Sequence, residues 1–180
     1  CCLLAMPAFQ SSYNSTDIPT ICGLVLVPLK TKFKGPAPIE KDTSKEDFLD
    51  EVLDLFRANV LFKNFEVQGP GDRLMVYMTL YITQCLNKIG NNNKDLAGKA
   101  LYQLAIEKFS IPGDSGFILG GMVSAPSSNQ EADQVRLYLQ QLRQEMGVRL
   151  VERVYAADAS KPSKWWLAFS KRKFLNKELK

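Results

Sequence analysis

The sequence predicts an all-α protein, a single domain of five or six helices joined by long irregular connections. Apolar residues recur at three- and four-residue spacing in several segments of helix length, which is typical of helices that bury one face. No segment shows the alternation of strands and helices expected of a βαβ fold. The 180 residues suffice for one domain with a substantial core, and neither a repeat nor a composition shift marks a domain boundary.

The chain before the first helix is expected to lie extended on the helical domain. Residues 6–43 show little helical periodicity, and the prolines of 33–38 favour an extended path, because a residue before proline is pushed out of the helical region. The apolar run 21–29 suits either a short strand or an extended segment laid across the core. The domain is predicted to cover 6–180. Residues 1–5 are expected to be a non-native or upstream extension, because a methionine follows them.

The first helix is predicted from its start signal and its apolar stripe. Thr43 and Glu46 form a capping-box pattern, and we expect the helix to end near Phe62. The stripe consists of Phe48, Leu49, Val52, Leu53, Phe56 and Val60. The other side carries four acids, Asp47, Asp50, Glu51 and Asp54. We interpret these acids as a solvated face, with a partner interface as the alternative.

The second helix is predicted over 73–89, with Asp72 as its cap. It is apolar on nearly every face and has a single charge before Lys88, which indicates a buried helix. We therefore expect one central apolar helix surrounded by the others. A third helix is predicted over 94–109, followed by a long irregular crossing over 110–125 that is rich in glycine.

The fourth helix is predicted over 129–146. Ser128 and Glu131 form a second capping-box pattern, and Gly147 suits the helix end. Residues 148–155 carry enough apolar side chains for a further helical turn or two.

A last helix is predicted over 163–177, because Pro162 suits the first turn of a helix. Its buried face would use Trp166, Phe169, Phe174 and the aliphatic stem of Lys173. Trp165 and Trp166 beside basic residues also match a stacking platform for single-stranded nucleic acid. Adjacent helical residues point about 100° apart, so we favour core anchoring for this pair.

The composition argues against an enzyme. There is no histidine, which removes the usual general base near neutral pH and the commonest zinc ligand. The four cysteines, Cys1, Cys2, Cys22 and Cys85, form no CxxC pair, so we expect no metal and no cofactor. Isolated interior cysteines suit a reducing compartment. No apolar run approaches the roughly 18 residues of a membrane-spanning helix, so we expect no membrane insertion.

The positive charge is concentrated at the C-terminal end. Residues 161–180 hold seven Lys or Arg and one acid, a balance of +6, whereas the other 160 residues hold 16 basic and 18 acidic side chains, a balance of −2. A basic surface favours and steers association with an acidic partner. The predicted partner-binding residues are Lys161, Lys164, Lys171, Arg172 and Lys173, with a second patch at Lys30, Lys32 and Lys34. The alternatives are a solvated basic helix and a surface linker.

Several short motifs resemble subunit 3 of the actin-related protein 2/3 complex, and they occur in order along almost the whole chain. They are Phe33-Lys34-Gly35-Pro36-Ala37-Pro38, Ala58-Asn59-Val60 with Phe62-Lys63-Asn64, Tyr81-Ile82, Ile111-Pro112-Gly113, Tyr138-Leu139-Gln140-Gln141-Leu142-Arg143-Gln144-Glu145 and Lys161-Pro162-Ser163-Lys164-Trp165-Trp166.

This resemblance implies a compact helical, non-catalytic subunit of an assembly that nucleates branched actin filaments. It implies the actin-related protein 3 subunit as chief partner, with contacts toward the mother filament and, on activation, toward the actin-related protein 2 subunit. The implied location is the cytoplasmic actin cytoskeleton, without nucleic acid as a partner. The competing function is a small basic nucleic-acid-binding module, which the C-terminal charge alone would support.

Overall fold

The computed structural model describes residues 9–179 and confirms a mostly helical single domain. The described residues form five α-helices, one two-stranded hairpin and two short 3₁₀ helices, Gly120–Met122 and Phe174–Asn176. The strands and helices are β1 Thr20–Ile21, β2 Leu24–Val25, α1 Phe48–Asn59, α2 Pro70–Ile89, α3 Lys94–Ile106, α4 Asn129–Val154 and α5 Lys164–Leu167. The predicted N-terminal extension, residues 1–5, lies outside the described residues.

The apolar run 21–29 contains a hairpin rather than one continuous strand. β1 and β2 pair antiparallel and are joined by Cys22 and Gly23, whose φ angles are 51° and 81°. Two successive residues with positive φ form the tight turn that matches the twist of paired strands. The hydroxyl of Tyr138 donates to the carbonyl of Val25 at 2.7 Å and accepts from the N–H of Val27 at 3.1 Å, which fixes the hairpin on α4.

Side chains of α1 and α2 hold the described start of the chain. The Asn59 amide accepts from the N–H of Phe9 at 3.0 Å and donates to its carbonyl at 3.1 Å. Asp72 accepts from the N–H of Ser11 at 2.7 Å, and Glu51 accepts from that of Ser12 at 2.7 Å. These bonds attach an irregular segment to the helices without any regular secondary structure of its own.

The first helix begins later than the sequence pattern indicates. Asp47, rather than Thr43, is the N-cap, and its carboxylate accepts from the N–H groups of Leu49 and Asp50. The Asp50 side chain completes the capping box by accepting from the N–H of Asp47 at 3.3 Å. The prediction of a start at Thr43 and Glu46 is therefore wrong. Asp47 and Asp50 form the capping box instead, and the Asp47 carboxylate accepts from the first-turn N–H groups.

The second helix begins earlier than predicted. Pro70 occupies its first turn, where the missing N–H costs nothing, so the Gly-Pro sequence starts the helix rather than interrupting it. Gly69 is the N-cap, and Asp72 lies inside the first turn, so its assignment as the cap is wrong. A Cβ on Gly71 would lie 2.7 Å from the Tyr13 carbonyl carbon, so only glycine allows this close approach. α2 is buried over most of its length and contacts α1, α3, α4 and β2.

The fourth helix is longer than predicted and packs along α3. It continues through Gly147 to Val154, because Gly147 is buried against α3 rather than ending the helix. A Cβ at Gly147 would lie 3.4 Å from the Cβ of Leu101, so the glycine permits close helix packing. Ser128 caps the helix by accepting from the N–H of Glu131, whereas the Glu131 carboxylate accepts from Ser127.

The long last helix predicted over 163–177 is wrong. α5 covers four residues, and turns then lead to the 3₁₀ helix Phe174–Asn176, where Leu175 has a φ of 52°. Three aromatic contacts explain the change. Trp166 stacks on Phe56 with ring centroids 5.9 Å apart, Phe169 meets Phe56 edge-on at 6.0 Å, and Phe174 meets Phe65 edge-on at 5.6 Å. Trp166 and Phe169 pack on Phe56 and Phe174 packs on Phe65, and this core packing overrides local helix propensity.

Candidate partner-binding surfaces

The described residues hold no cluster suited to metal chemistry. Within 9–179, no group of three or more His, Cys, Asp or Glu residues is placed to hold a metal ion. The two described cysteines are free and buried, and burial raises the pKa of Cys22 to about 11 and that of Cys85 to about 12. Both thiols are therefore protonated at neutral pH, which is the less nucleophilic form of cysteine. No helix in the described part of the chain combines the length and apolar character needed to cross a bilayer.

Arg149 of α4 is the centre of an ion-pair cluster that joins three parts of the chain. Its guanidinium pairs with Asp47 at 2.7 Å, with Asp50 at 3.1 Å and with Glu145 at 2.9 Å. It also donates to the carbonyl of Lys30 at 2.7 Å, and the Lys30 ammonium lies 2.9 Å from the Asp50 carboxylate. The cluster ties the loop that carries Lys30 to the start of α1 and the middle of α4.

This cluster corrects the interpretation of the α1 acids as a solvated face for Asp47 and Asp50, whereas Asp54 is exposed as predicted. Asp47 is only 3% exposed. Burial alone would raise its pKa, but hydrogen bonds from the Arg149 guanidinium and the N–H of Lys30 outweigh that effect and hold the pKa below its ordinary value. Asp47 is thus a buried structural carboxylate. Asp50 is committed to Arg149 and Lys30, so neither acid is free for a partner.

The basic patch at Lys30, Lys32 and Lys34 divides into two kinds of residue. Lys30 is half-buried and neutralised by Asp50, whereas Lys32 and Lys34 are exposed. Among residues 9–179, neither exposed lysine has a carboxylate within 4.0 Å. The available charge of this patch is therefore that of Lys32 and Lys34.

Gln141 fixes the backbone on which these two lysines stand. Its side-chain amide, 2% exposed, accepts from the N–H of Ala37 at 3.0 Å and donates to the carbonyl of Phe33 at 2.9 Å. A Cβ on Gly35 would lie 2.3 Å from the Gln141 side-chain oxygen, so this approach requires glycine. One buried amide of α4 thereby holds the loop backbone at Phe33 and Ala37.

The C-terminal basic residues are on the surface, although not on one helix. Lys161 precedes α5 and Lys164 is its first residue, whereas Lys171, Arg172 and Lys173 line a shallow cavity of about 230 Å³ beside the end of α2. Two of them have exposed acidic neighbours: Lys161 lies 3.8 Å from Asp158, and Lys173 lies 3.6 Å from Glu178. Lys173 is exposed, so the prediction that its stem belongs to the buried face is wrong.

The two adjacent tryptophans have opposite environments. Trp166 is 6% exposed and lies between Phe56 and the Arg57 guanidinium, which is 4.6 Å from its ring centroid. Trp165 is 78% exposed. Core anchoring is therefore confirmed for Trp166 and wrong for Trp165. Only one of the two rings faces solvent, so the pair offers no double stacking platform.

No periodic sequence pattern indicated that Gln141 and Arg149 organise the fold, or that Ile39 and Val148 are exposed apolar residues. Gln141 and Arg149 act on partners more than 100 residues away, which leaves no local pattern. A signal existed for Ile39, because an apolar residue directly after a run of prolines has no periodic stripe to join. Val148 follows Gly147, where the helix was predicted to end, so the sequence did not place Val148 on α4.

Exposed charges without a partner on an ordered helical surface favour association with an oppositely charged protein. The family model described as P21-Arc, the ARP2/3 complex ARPC3 (21 kDa) subunit, matches residues 6–179. The chain is 55% identical over 173 residues to actin-related protein 2/3 complex subunit 3 of Dictyostelium discoideum, covering 95% of this chain and 99% of that protein. It is 49% identical over 175 residues to the protein of the same name from Schizosaccharomyces pombe, covering 97% and 100%.

The same name belongs to a protein of Arabidopsis thaliana that is 41% identical over 170 residues, covering 93% of this chain and 97% of that protein. The chain therefore belongs to the family of the ARP2/3 complex ARPC3 (21 kDa) subunit. This confirms the resemblance that the motifs indicate.

Proposed function

We propose that this chain is a non-catalytic structural subunit of the actin-related protein 2/3 complex and contributes to the nucleation and branching of actin filaments. The observation that carries this function is the family match over residues 6–179, which spans almost the whole chain. The relatives are covered over nearly their full length as well, so the whole subunit is compared. A member of this complex works in the cytoplasmic actin cytoskeleton.

Within that assembly, we propose the actin-related protein 3 subunit and the mother filament as the partners of the two basic surfaces. The support is electrostatic. Actin filaments are acidic, and exposed cations favour and steer association with an acidic surface. Lys161, Lys164, Lys171, Arg172 and Lys173 form the surface proposed for filament contact, and Lys32 and Lys34 form the one proposed for a neighbouring subunit. Lys30 would act indirectly, by holding the loop through Asp50.

Membership is tested by recovering the tagged chain from cytoplasmic extract at moderate salt. We expect both actin-related proteins and the other subunits of the complex in equal molar amounts, measured by mass spectrometry. Recovery of the chain alone would contradict the proposed function. Recovery with nucleic acid that is lost steeply as salt rises would favour the basic nucleic-acid-binding module instead.

The filament surface is tested by reversing three charges, K171E/R172E/K173E, in the assembled complex. Co-sedimentation with actin filaments should weaken, and the loss should shrink as salt rises, because salt screens exposed charges. The matched control is K88E/K99E/K108E, which changes the same number of exposed charges elsewhere. Equal filament binding by the two variants would exclude this surface while leaving membership of the complex intact.

A further inference from the structure

An apolar groove lies between the loop of residues 30–43 and the middle of α4. Its volume is about 540 Å³, and Phe33, Ile39 and Val148 contribute its apolar lining. Ile39 is 71% exposed and Val148 is 50% exposed. Single exposed apolar residues are ordinary on protein surfaces, but several that converge in a concave site mark an interaction surface.

The groove continues along α4. Val148 also lines a smaller cavity of about 170 Å³ between α3 and α4, together with Tyr102, Gly98 and Gly147. Tyr102 is 52% exposed, and the two glycines leave room beside it. The two cavities share Val148, so the apolar surface runs from Ile39 across Val148 to Tyr102. Its form suits an elongated segment rather than a small molecule.

Hydrogen bonds within the chain fix the loop wall of the groove. The N–H of Leu29 donates to the carbonyl of Pro38 at 2.8 Å, and the N–H of Glu40 donates to the carbonyl of Leu29 at 2.9 Å. The Thr31 hydroxyl donates to Glu145 of α4 at 2.8 Å. With the Gln141 amide, these bonds hold both sides of the loop. A partner therefore has little ordering entropy to overcome at this site.

The charges around the groove specify its occupant. Glu145 is occupied by Arg149 and Thr31, and Glu40 accepts from the N–H of Asp42 at 3.0 Å. Lys30 is neutralised by Asp50. Lys32 and Glu40 are the groove-lining ionic residues without an oppositely charged side chain within 4.0 Å among residues 9–179, because a backbone N–H does not neutralise a carboxylate. Exposed Lys34 adds a second free cation nearby, so the free positive charges at the groove outnumber the free negative one. The surface thus combines apolar contact area with an excess of positive charge.

We infer that this groove receives a segment of a neighbouring subunit of the same complex, one that carries apolar side chains beside at least one Asp or Glu. The apolar side chains cover Ile39 and Val148, and the carboxylate pairs with Lys32 or Lys34. This inference rests on the proposed function, because it takes its occupant from the same assembly. The groove would add an apolar contact to the electrostatic contact proposed for Lys32 and Lys34. Buried side chains at the centre of an interface contribute most of its binding energy.

The test introduces charge into the apolar part of the groove. The tagged full-length chain carrying I39D/V148D is expressed together with the other subunits, and their recovery is compared with that of the wild type. We expect about tenfold or greater loss of the other subunits, as for truncation of an interface anchor. The matched control is L61D/L137D, which changes two residues that are 55% and 51% exposed and lie outside the groove. Circular dichroism and thermal unfolding of both variants establish that each chain is folded.

A second variant, K32E/K34E, tests the charge of the occupant. Recovery of the other subunits should fall at low salt and fall less at high salt. The inference is overturned if folded I39D/V148D recovers the complex as well as L61D/L137D does. It is also overturned if I39D/V148D abolishes only self-association of the chain, measured by its mass in solution. If the wild-type chain recovers no other subunits, the proposed function itself has failed, which distinguishes the two failures.

Discussion

The loop of residues 30–38 and the C-terminal segment of residues 161–179 are both basic in sequence, but different forces hold them. Polar side chains fix the loop: Gln141 holds its backbone, and Arg149 and Asp50 hold Lys30. Aromatic rings fix the C-terminal segment, through Trp166, Phe169 and Phe174. The polar attachment neutralises Lys30 through its ion pair with Asp50. The aromatic attachment leaves the cations of the C-terminal segment at the surface.

This difference also predicts different sensitivities. An attachment made of buried ion pairs responds to pH and fails when either partner is removed, because a charge is then left buried and unpaired. An attachment made of stacked rings responds to the loss of ring volume and is indifferent to pH. Three substitutions or conditions separate these two cases, from the largest expected effect to the smallest.

Replacing the buried tryptophan should have the largest effect. W166A removes the ring that stacks on Phe56 and leaves a cavity, so we expect the free energy of unfolding to fall by about 3–5 kcal/mol. The neighbouring W165A is the control, and its effect should stay within about 0.5 kcal/mol because Trp165 is exposed. Urea unfolding of both variants measures the difference. Equal destabilisation would mean that the rings do not fix the C-terminal segment.

Removing the central cation of the loop attachment should have the next largest effect. R149M leaves Asp47 buried without its guanidinium, and we expect a loss of about 3 kcal/mol of unfolding free energy. The control K94M removes a cation from a pair with Glu152, whose side chain is 65% exposed, and should cost less than about 1 kcal/mol. A cost for R149M no greater than that for K94M would contradict a structural role for the cluster.

The smallest effect is a pH dependence that belongs to the loop attachment. The pKa of Asp47 is lower in the folded protein than its ordinary value of about 3.9, so the unfolded chain binds more protons between the two values. The stabilisation is fully present above that ordinary value and is lost as the pH falls through the folded pKa. Urea midpoints measured between about pH 3 and pH 6 should fall toward acid in the wild type and in W165A. The fall should be shallower in R149M, and an equal slope would contradict the assignment.

The helices that the sequence predicted best are those with long, regular apolar stripes. α1, α2, α3 and α4 all occur where periodicity places them, and their errors lie at the ends, where capping competes among neighbouring polar residues. Asp47 rather than Thr43 is the N-cap of α1, and Asp47 also pairs with Arg149. That contact spans about 100 residues, so no local sequence pattern contains it. The hairpin turn was equally hidden, because Cys22 takes a left-handed conformation that glycine or asparagine usually signals.

The sequence shows which segments are basic, but it does not show which of their side chains are exposed or how they are arranged. The sequence contains both proposed basic patches, yet no pattern in it separates neutralised Lys30 from exposed Lys32, because their difference depends on Asp50 in another element. The C-terminal segment was expected to be one helix, and the separate core partners of its rings explain why it is not. Ile39 and Val148 lie more than 100 residues apart, so their groove exists only once the loop is placed on α4.

This chain belongs to the family of a non-catalytic subunit of the complex that nucleates branched actin filaments, and we propose that it contributes to branching. The most direct measurement counts branches in fluorescence images of growing actin filaments. Three samples are compared: the complex reconstituted with this chain, the complex reconstituted without it, and this chain alone. We predict fewer branches per filament length when the chain is omitted, recovery when it is added back, and no nucleation by the chain alone. Equal branching without the chain, or nucleation by the chain alone, would contradict the account.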